Sequence, residues 1–195
     1  MTGARPSRKP PPPQPGDPAG RGGPQLTDIV ADDLSVLFVG INPGLPSAVL
    51  GHNFATPGNR FWPALHRAGF TAHRFRAEEE EELLPLGLGI TSIVRRPTAR
   101  AADLTRRELE EGGEDLRRRA SALRPRWLAL LGVTGYRAAF AAPGATIGPA
   151  PALGATRVWV LPNPSGLNAH YPPAALASEF ARLRAAAGLP DRSES

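Results

Sequence analysis

Residues Val36-Leu37-Phe38-Val39-Gly40-Ile41-Asn42-Pro43-Gly44 decide the fold of this chain. An apolar run of this length, rich in Val and Phe and stopped by Gly and Pro, has the pattern of a short buried strand breaking into a loop. In open α/β sheets, ligands bind just beyond the carboxyl ends of such strands. Asn42 stands there, directly before Pro43, in backbone with little freedom. That placement suits a side chain that must hold something still.

Outward from this stretch the pattern repeats. Leu34–Val39, Leu88–Val94, Trp127–Leu131 and Arg157–Leu161 read as strands. Between them lie helical spacing over Asn59–Ala68, a short acidic helix over Glu78–Leu84 and a charged helix over Thr105–Leu123, interrupted at Gly112-Gly113. Further helices are expected over Thr134–Ala141 and over Pro173–Ala187, the last with Pro in its first turn and Gly188 as its stop. Strands separated by helices imply parallel pairing. The expected fold is therefore a three-layer α/β/α sandwich with a central, mainly parallel sheet of four or five strands. Right-handed crossovers would bring the loops after Val39, Val94, Leu131 and Leu161 to one rim.

The 195 residues suit one domain with tails. Residues 1–24 carry eight prolines and five glycines and read as a flexible, basic, partly polyproline tail. Residues 25–188 form the expected domain, and 189–195 a flexible polar terminus. Arg5, Arg8, Lys9 and Arg21 against Asp17 put three of the five net positive charges in the tail. The remainder holds 19 basic and 17 acidic residues, so any nucleic-acid face on the body must be a local patch. There is no cysteine, which excludes disulfides, iron–sulfur clusters and thiolate zinc sites. No apolar run approaches a membrane span, and a cytoplasmic location is expected.

Two rim loops stand out. The first runs from Gly40-Ile41-Asn42-Pro43-Gly44 to Gly51-His52-Asn53-Phe54-Ala55-Thr56-Pro57-Gly58-Asn59-Arg60-Phe61-Trp62. The second is Leu161-Pro162-Asn163-Pro164-Ser165-Gly166-Leu167-Asn168. In order and spacing, over roughly residues 34–186, the pair resembles the mismatch-specific uracil/thymine DNA glycosylase family of the uracil-DNA glycosylase superfamily. The resemblance implies a DNA glycosylase of base-excision repair, and because Lys9 is the only lysine of the chain a monofunctional one is expected. It would flip a uracil, or in some members a thymine or damaged pyrimidine, out of a mispair with guanine in double-stranded DNA, hydrolyse its N-glycosidic bond and leave an abasic site.

The resemblance also assigns roles. Asn42 matches the residue that positions the attacking water. Phe54 matches the aromatic ring that stacks on the flipped base, and Ile41, Gly44 and Ser92 fall around that base. The N–H groups of Gly44 and Phe54 are candidate donors to it. Asn163, Ser165, Gly166 and Asn168 belong to the loop that meets the duplex, and Leu167 matches the wedge that fills the vacated stack. Family members often carry Lys or Asn where Ser92 stands, and many carry Arg shortly after the wedge, where this chain has Asn168-Ala169-His170. Uracil opposite guanine, more than thymine, is therefore the expected substrate. No cofactor, metal or membrane is implied, the partner is DNA with a mispaired or damaged base, and a monomer is expected.

Each assignment has a plainer reading on local sequence. Asn-Pro starts turns, Phe54 could be core, and Leu167 could staple the following helix. His52 and Asn53 could touch a base or a phosphate, and Asn59-Arg60 could offer helix N–H groups to a phosphate. The Glu78–Glu82 run reads as a solvated helix face. Arg95, Arg96, Arg100, Arg106 and Arg107 read as phosphate contacts or as solvated helix ends. A non-catalytic binder of mispairs or abasic sites, and a nucleotide-binding α/β enzyme, are the alternatives. No Gly-Lys-Ser/Thr phosphate loop or Gly-x-Gly-x-x-Gly fingerprint follows the first strand to favour the latter.

Overall fold

The computed structural model describes residues 26–193. Strand β1 (Val36–Gly40) is buried along its whole length, as a central strand covered on both faces must be. Successive side chains alternate between the faces, and so β1 divides the core in two. Val36 and Phe38 enter one half, Leu37 and Val39 the other. In the first half, Phe38 meets Phe61 and Phe70 edge-on and stacks against Phe180. Phe61 begins α2 (Phe61–Arg67) and Phe180 lies on α5 (Pro173–Ala186). In the second half, α3 (Arg106–Leu123) supplies Leu116 and Ala120, and α4 (Val133–Ala139) supplies Tyr136 and Ala139. Each fully buried Leu or Phe in these layers stabilises the fold by roughly 1.5–3 kcal/mol.

The sheet has five strands in the order β2-β1-β3-β5-β4, with β2 (Leu88–Ser92), β3 (Trp127–Leu131), β4 (Gly148–Leu153) and β5 (Thr156–Leu161). β2, β1, β3 and β5 are parallel. Gly40 lies opposite Ser92, and Leu131 opposite Leu161, so the carboxyl ends of these four strands form one rim. The mainly parallel α/β/α architecture is the one the sequence implies. β4, antiparallel to β5, is an addition to the four strands read from sequence. It contains Pro149 and Pro151 and is largely exposed. Prolines are tolerated at a sheet edge, where one side of the strand has no ladder to complete.

Several local expectations change. α3 is not interrupted at Gly112-Gly113 but runs straight through. Those glycines are there for closeness: a Cβ on Gly112 would stand 2.6 Å from the Ile93 carbonyl oxygen, and one on Gly113 would collide with that of Ala139. The cost of glycine in a helix is offset at the α3 N-terminus. Thr105 Oγ1 accepts from the Glu108 N–H at 3.2 Å, and Glu108 Oε2 accepts from the Thr105 N–H at 2.8 Å. The acidic segment is a 3₁₀ stretch, Ala77–Leu86, rather than an α-helix. A short α1 (Leu45–Leu50) follows Gly44, unforeseen because its exposed Leu45, Val49 and Leu50 give no core-facing pattern.

At the far end, residues 189–193, read as part of a flexible terminus, pack back onto the body. Leu189 lies against the core, Arg184 donates to Asp191 at 2.7 Å, and the Arg192 N–H donates to Gly69 at 2.9 Å. The proline-rich tail over 1–24 lies outside the described residues. No helix among those described is long and apolar enough to cross a membrane.

Candidate active site

A cavity of about 490 Å³ opens at the strand rim, where Gly40, Ile41 and Asn42 leave β1, Ser92 ends β2, Leu131 ends β3 and Asn163 follows β5. The topology brings together segments more than a hundred residues apart. The link is physical. The Arg60 N–H donates to Pro164 O at 2.8 Å. The Arg60 guanidinium donates to the carbonyl oxygens of Tyr171 (2.7 Å), Ser165 (2.6 Å) and Asn168 (2.8 Å). Gly166 comes so near that a Cβ there would stand 2.6 Å from Gly58 O.

Asn42 is held by its nitrogen. Nδ2 donates to Thr98 Oγ1 at 2.7 Å and to Arg96 O at 3.0 Å, with Pro43 O at 3.2 Å. Two of these partners are carbonyls, which can only accept, and this fixes which end of the amide is which. The other end, Oδ1, takes no hydrogen bond from the described residues and remains open to solvent. An amide anchored in this way presents an acceptor to whatever enters the cavity.

Phe54 stands at φ +55°, an uncommon backbone state for a bulky residue. Its ring stacks on Phe61, with centroids 4.1 Å apart, and passes over Gly40. The core thus backs one face of a ring that also lines the cavity. The turn is clamped from behind by Glu80. This buried carboxylate accepts from the Asn53 N–H (2.8 Å), from Asn53 Nδ2 (2.9 Å) and pairs with His52 Nδ1 (3.1 Å). Glu80 is therefore no part of a solvated helix face, and His52 and Asn53 are occupied in holding the loop. Backbone strain of this kind persists only where its surroundings over-determine it.

Ile41, Gly44, Ser92, Asn163, Ser165, Gly166 and Leu167 all line the cavity as well. The Ile41 side chain also packs onto α4, where Gly135 makes room for it. A Cβ on Gly44 would lie 2.8 Å from Thr56 Oγ1, so the close approach of Thr56 also requires glycine there. Among the described residues, neither the Gly44 nor the Phe54 N–H has a protein acceptor. Asn163 Oδ1 accepts from the Ser165 N–H at 2.9 Å, and its Nδ2 has no hydrogen-bond partner among the described residues. Leu167 is 89 % exposed and staples nothing. Asn168 is not on the lining; its Nδ2 donates to Asn163 O at 2.9 Å and braces the loop.

The arginine run after β2 is matched locally. Arg95 pairs with Asp28 (2.9 Å), Arg96 with Glu108 (2.7 Å), Arg100 with Asp103 (3.2 Å), Arg106 with Glu110 (2.7 Å) and Arg107 with Glu111 (2.7 Å). Hydrogen bonds from Arg96 and from the Thr105 N–H hold the Glu108 carboxyl down at about 2. Among the described residues, no three His, Asp or Glu side chains group as metal ligands. Sequence reading missed Thr98, Arg60 in its clamping role, and Glu80. Thr98 was within reach: it follows a proline, on the same rim, in the loop after β2.

The uracil DNA glycosylase superfamily model matches residues 27–184. The solution NMR structure of a candidate uracil DNA glycosylase from Methanosarcina acetivorans superposes with a TM-score of 0.57 at 15 % identity, over 83 % of this chain and 98 % of that one. At that identity the likeness speaks for the fold. Through the family match, which spans most of its length and both rim loops, the chain belongs to the uracil DNA glycosylase superfamily.

Proposed function

We propose that this protein is a monofunctional DNA glycosylase that extrudes uracil from a mispair with guanine and hydrolyses its N-glycosidic bond. Superfamily membership supports glycosylase chemistry on DNA. The observation that carries the finer reading is Asn42: amide nitrogen anchored, amide oxygen open, in a cavity that the wedge loop also lines.

In this reading, water held by Asn42 Oδ1 attacks C1′ of the sugar. The new O–C1′ bond forms as the C1′–N1 bond breaks, and the bonding pair leaves with the base. The water's proton passes to solvent, because an amide orients water but is a poor base. Turnover is accordingly slower than in superfamily members that use Asp at this place. The unpartnered N–H groups of Gly44 and Phe54, with Asn163 Nδ2, donate to the departing base as its negative charge grows. The Phe54 ring stacks on the base, an interaction worth roughly 1–3 kcal/mol for nucleic-acid bases on aromatic side chains. Leu167 enters the vacated stack. Lys9 is the only lysine of the chain, so the body offers no amine for a Schiff base, and borohydride is expected to trap no covalent adduct.

The test is single-turnover incubation with duplexes carrying U:G, T:G or U:A and with single-stranded uracil, followed by alkaline cleavage of abasic sites. Cutting is expected to be strongest at U:G, nearly lost in Asn42→Ala and partly lost in Leu167→Ala. Undiminished cutting by Asn42→Ala would remove the catalytic assignment. Tight binding without cutting would leave a non-catalytic mispair binder.

A further inference from the structure

We infer that Thr98 is a positioning residue for catalysis, fixing which end of the Asn42 amide faces the cavity; the inference rests on the proposed role of Asn42. An asparagine amide is nearly symmetric in shape, and rotation by half a turn about its last bond exchanges its oxygen and nitrogen. If Nδ2 faced the cavity, the side chain would donate to water through N–H and turn the water's lone pairs away from C1′. Something must break the symmetry, and here it is a set of acceptors behind the amide.

Thr98 completes that set. A threonine hydroxyl can donate one bond and accept others. The Thr98 hydroxyl donates to Arg100 O at 2.7 Å. With its hydrogen so placed, Oγ1 faces Asn42 as an acceptor, and the 2.7 Å contact with Nδ2 is the shortest that Asn42 makes. Thr98 is buried at the edge of the cavity, beside Asn42. Its backbone is tied to the Asn42 loop in both directions: the Thr98 N–H donates to Pro43 O at 3.1 Å, and Leu45 N–H donates to Thr98 O at 3.1 Å. Arg96, the other principal acceptor through its carbonyl, is pinned by its side chain to Glu108 at 2.7 Å. The loop after β2 is thus an acceptor cradle. It holds an amide nitrogen in place and repels an amide oxygen.

The experiment compares Thr98→Val, which keeps shape and removes the hydroxyl, with Thr98→Ser, which keeps the hydroxyl. Under single-turnover conditions at saturating enzyme on a U:G duplex, Thr98→Val is expected to lose about 10- to 100-fold in rate, the loss of one buried hydrogen bond expressed in the transition state. Thr98→Ser should stay within about 3-fold of wild type, since the acceptor survives. Dissociation constants for abasic-site DNA should be unchanged in both, because the product needs no aimed water. Wild-type rates in Thr98→Val, or equal losses in the two variants, would overturn the inference.

A second measurement needs no variant to fold. In wild type, the two Asn42 Nδ2 protons should exchange slowly with solvent by NMR; fast exchange of both would overturn the inference independently. Failure of the functional reading looks different: wild-type protein that cuts no duplex, or Asn42→Ala that cuts like wild type.

Discussion

The two loops that meet at the cavity are held in opposite ways. Asn42 is gripped by its side chain, from behind, by groups of another loop that are themselves buried or ion-paired. The Asn163–Asn168 loop is gripped by its backbone, chiefly through the Pro164, Ser165 and Asn168 carbonyls that Arg60 gathers, and its most apolar side chain stands in water. The difference follows from what each would have to do. A group that aims one water molecule gains from every restraint on its own atoms. A wedge has to be free at its tip and fixed at its base. One rim therefore carries both a rigid side chain on a constrained loop and an unpacked side chain on a clamped one.

The contrast breaks most severely at Arg60. Its guanidinium is the common partner of Ser165, Asn168 and Tyr171, and these carbonyls have no replacement in the same place. Arg60→Met should cost about 2–4 kcal/mol of stability, because hydrogen bonds to a charged donor are among the stronger ones and the carbonyls left behind are partly shielded. A thermal melt measures this, and binding to a U:G duplex should weaken more than the rate at saturation falls. A variant that melts like wild type would show that the Asn163–Asn168 loop supports itself without Arg60.

The next largest effect tests whether the Phe54 turn belongs with the rigid side. Glu80→Ala leaves the Asn53 N–H without its acceptor and should cost about 1–3 kcal/mol in urea unfolding. Glu108→Gln acts one step further back, through Arg96. The Glu108 carboxyl titrates at about 2 in the fold, below its ordinary value, because Arg96 and the Thr105 N–H donate to it. A depressed carboxyl pKa stabilises the fold above the unfolded value and loses that effect as pH falls toward the folded one. The pair is partly exposed, so the difference between wild type and variant should be about 1 kcal/mol near pH 7. It should shrink below pH 4.5 and be lost as pH falls through about 2. Melts at stepped pH follow it, and a difference that does not change with pH would assign the loss to packing.

How much of this was legible in the sequence depends on the range of the interaction. β1 and its neighbours were readable because burial on both faces forces continuous apolar runs such as Val36–Val39 and Trp127–Leu131. The convergence of the two motifs was readable because parallel strands with right-handed crossovers deliver their ends to one rim. β4 was hidden by its prolines, which mark a turn by default and an edge strand only when a neighbour is known. Gly112-Gly113 read as a break because local propensity was the only information to hand; the carbonyls they approach lie on other elements. Glu80 was lost in a run of five glutamates that differ only in what lies opposite. Arg60 acts on carbonyl oxygens, and every residue has one, so composition carries no mark of the partner; Thr98 accepts from an amide more than fifty residues away, which no local pattern announces.

The smallest expected effect is the sharpest test of the comparison. A side chain 89 % exposed in the folded state gains almost nothing from folding, since it is no better covered there than in the unfolded chain. Leu167→Ala should therefore change stability by less than about 0.5 kcal/mol, although the same substitution is expected to slow excision. The backbone that Leu167 rides on is unaffected, because its carbonyl neighbours still meet Arg60. A loss of both activity and stability would mean that Leu167 packs against the protein and helps to build the loop. A loss of activity alone, at unchanged melting temperature, places its energetic role outside the free protein, in the complex with DNA.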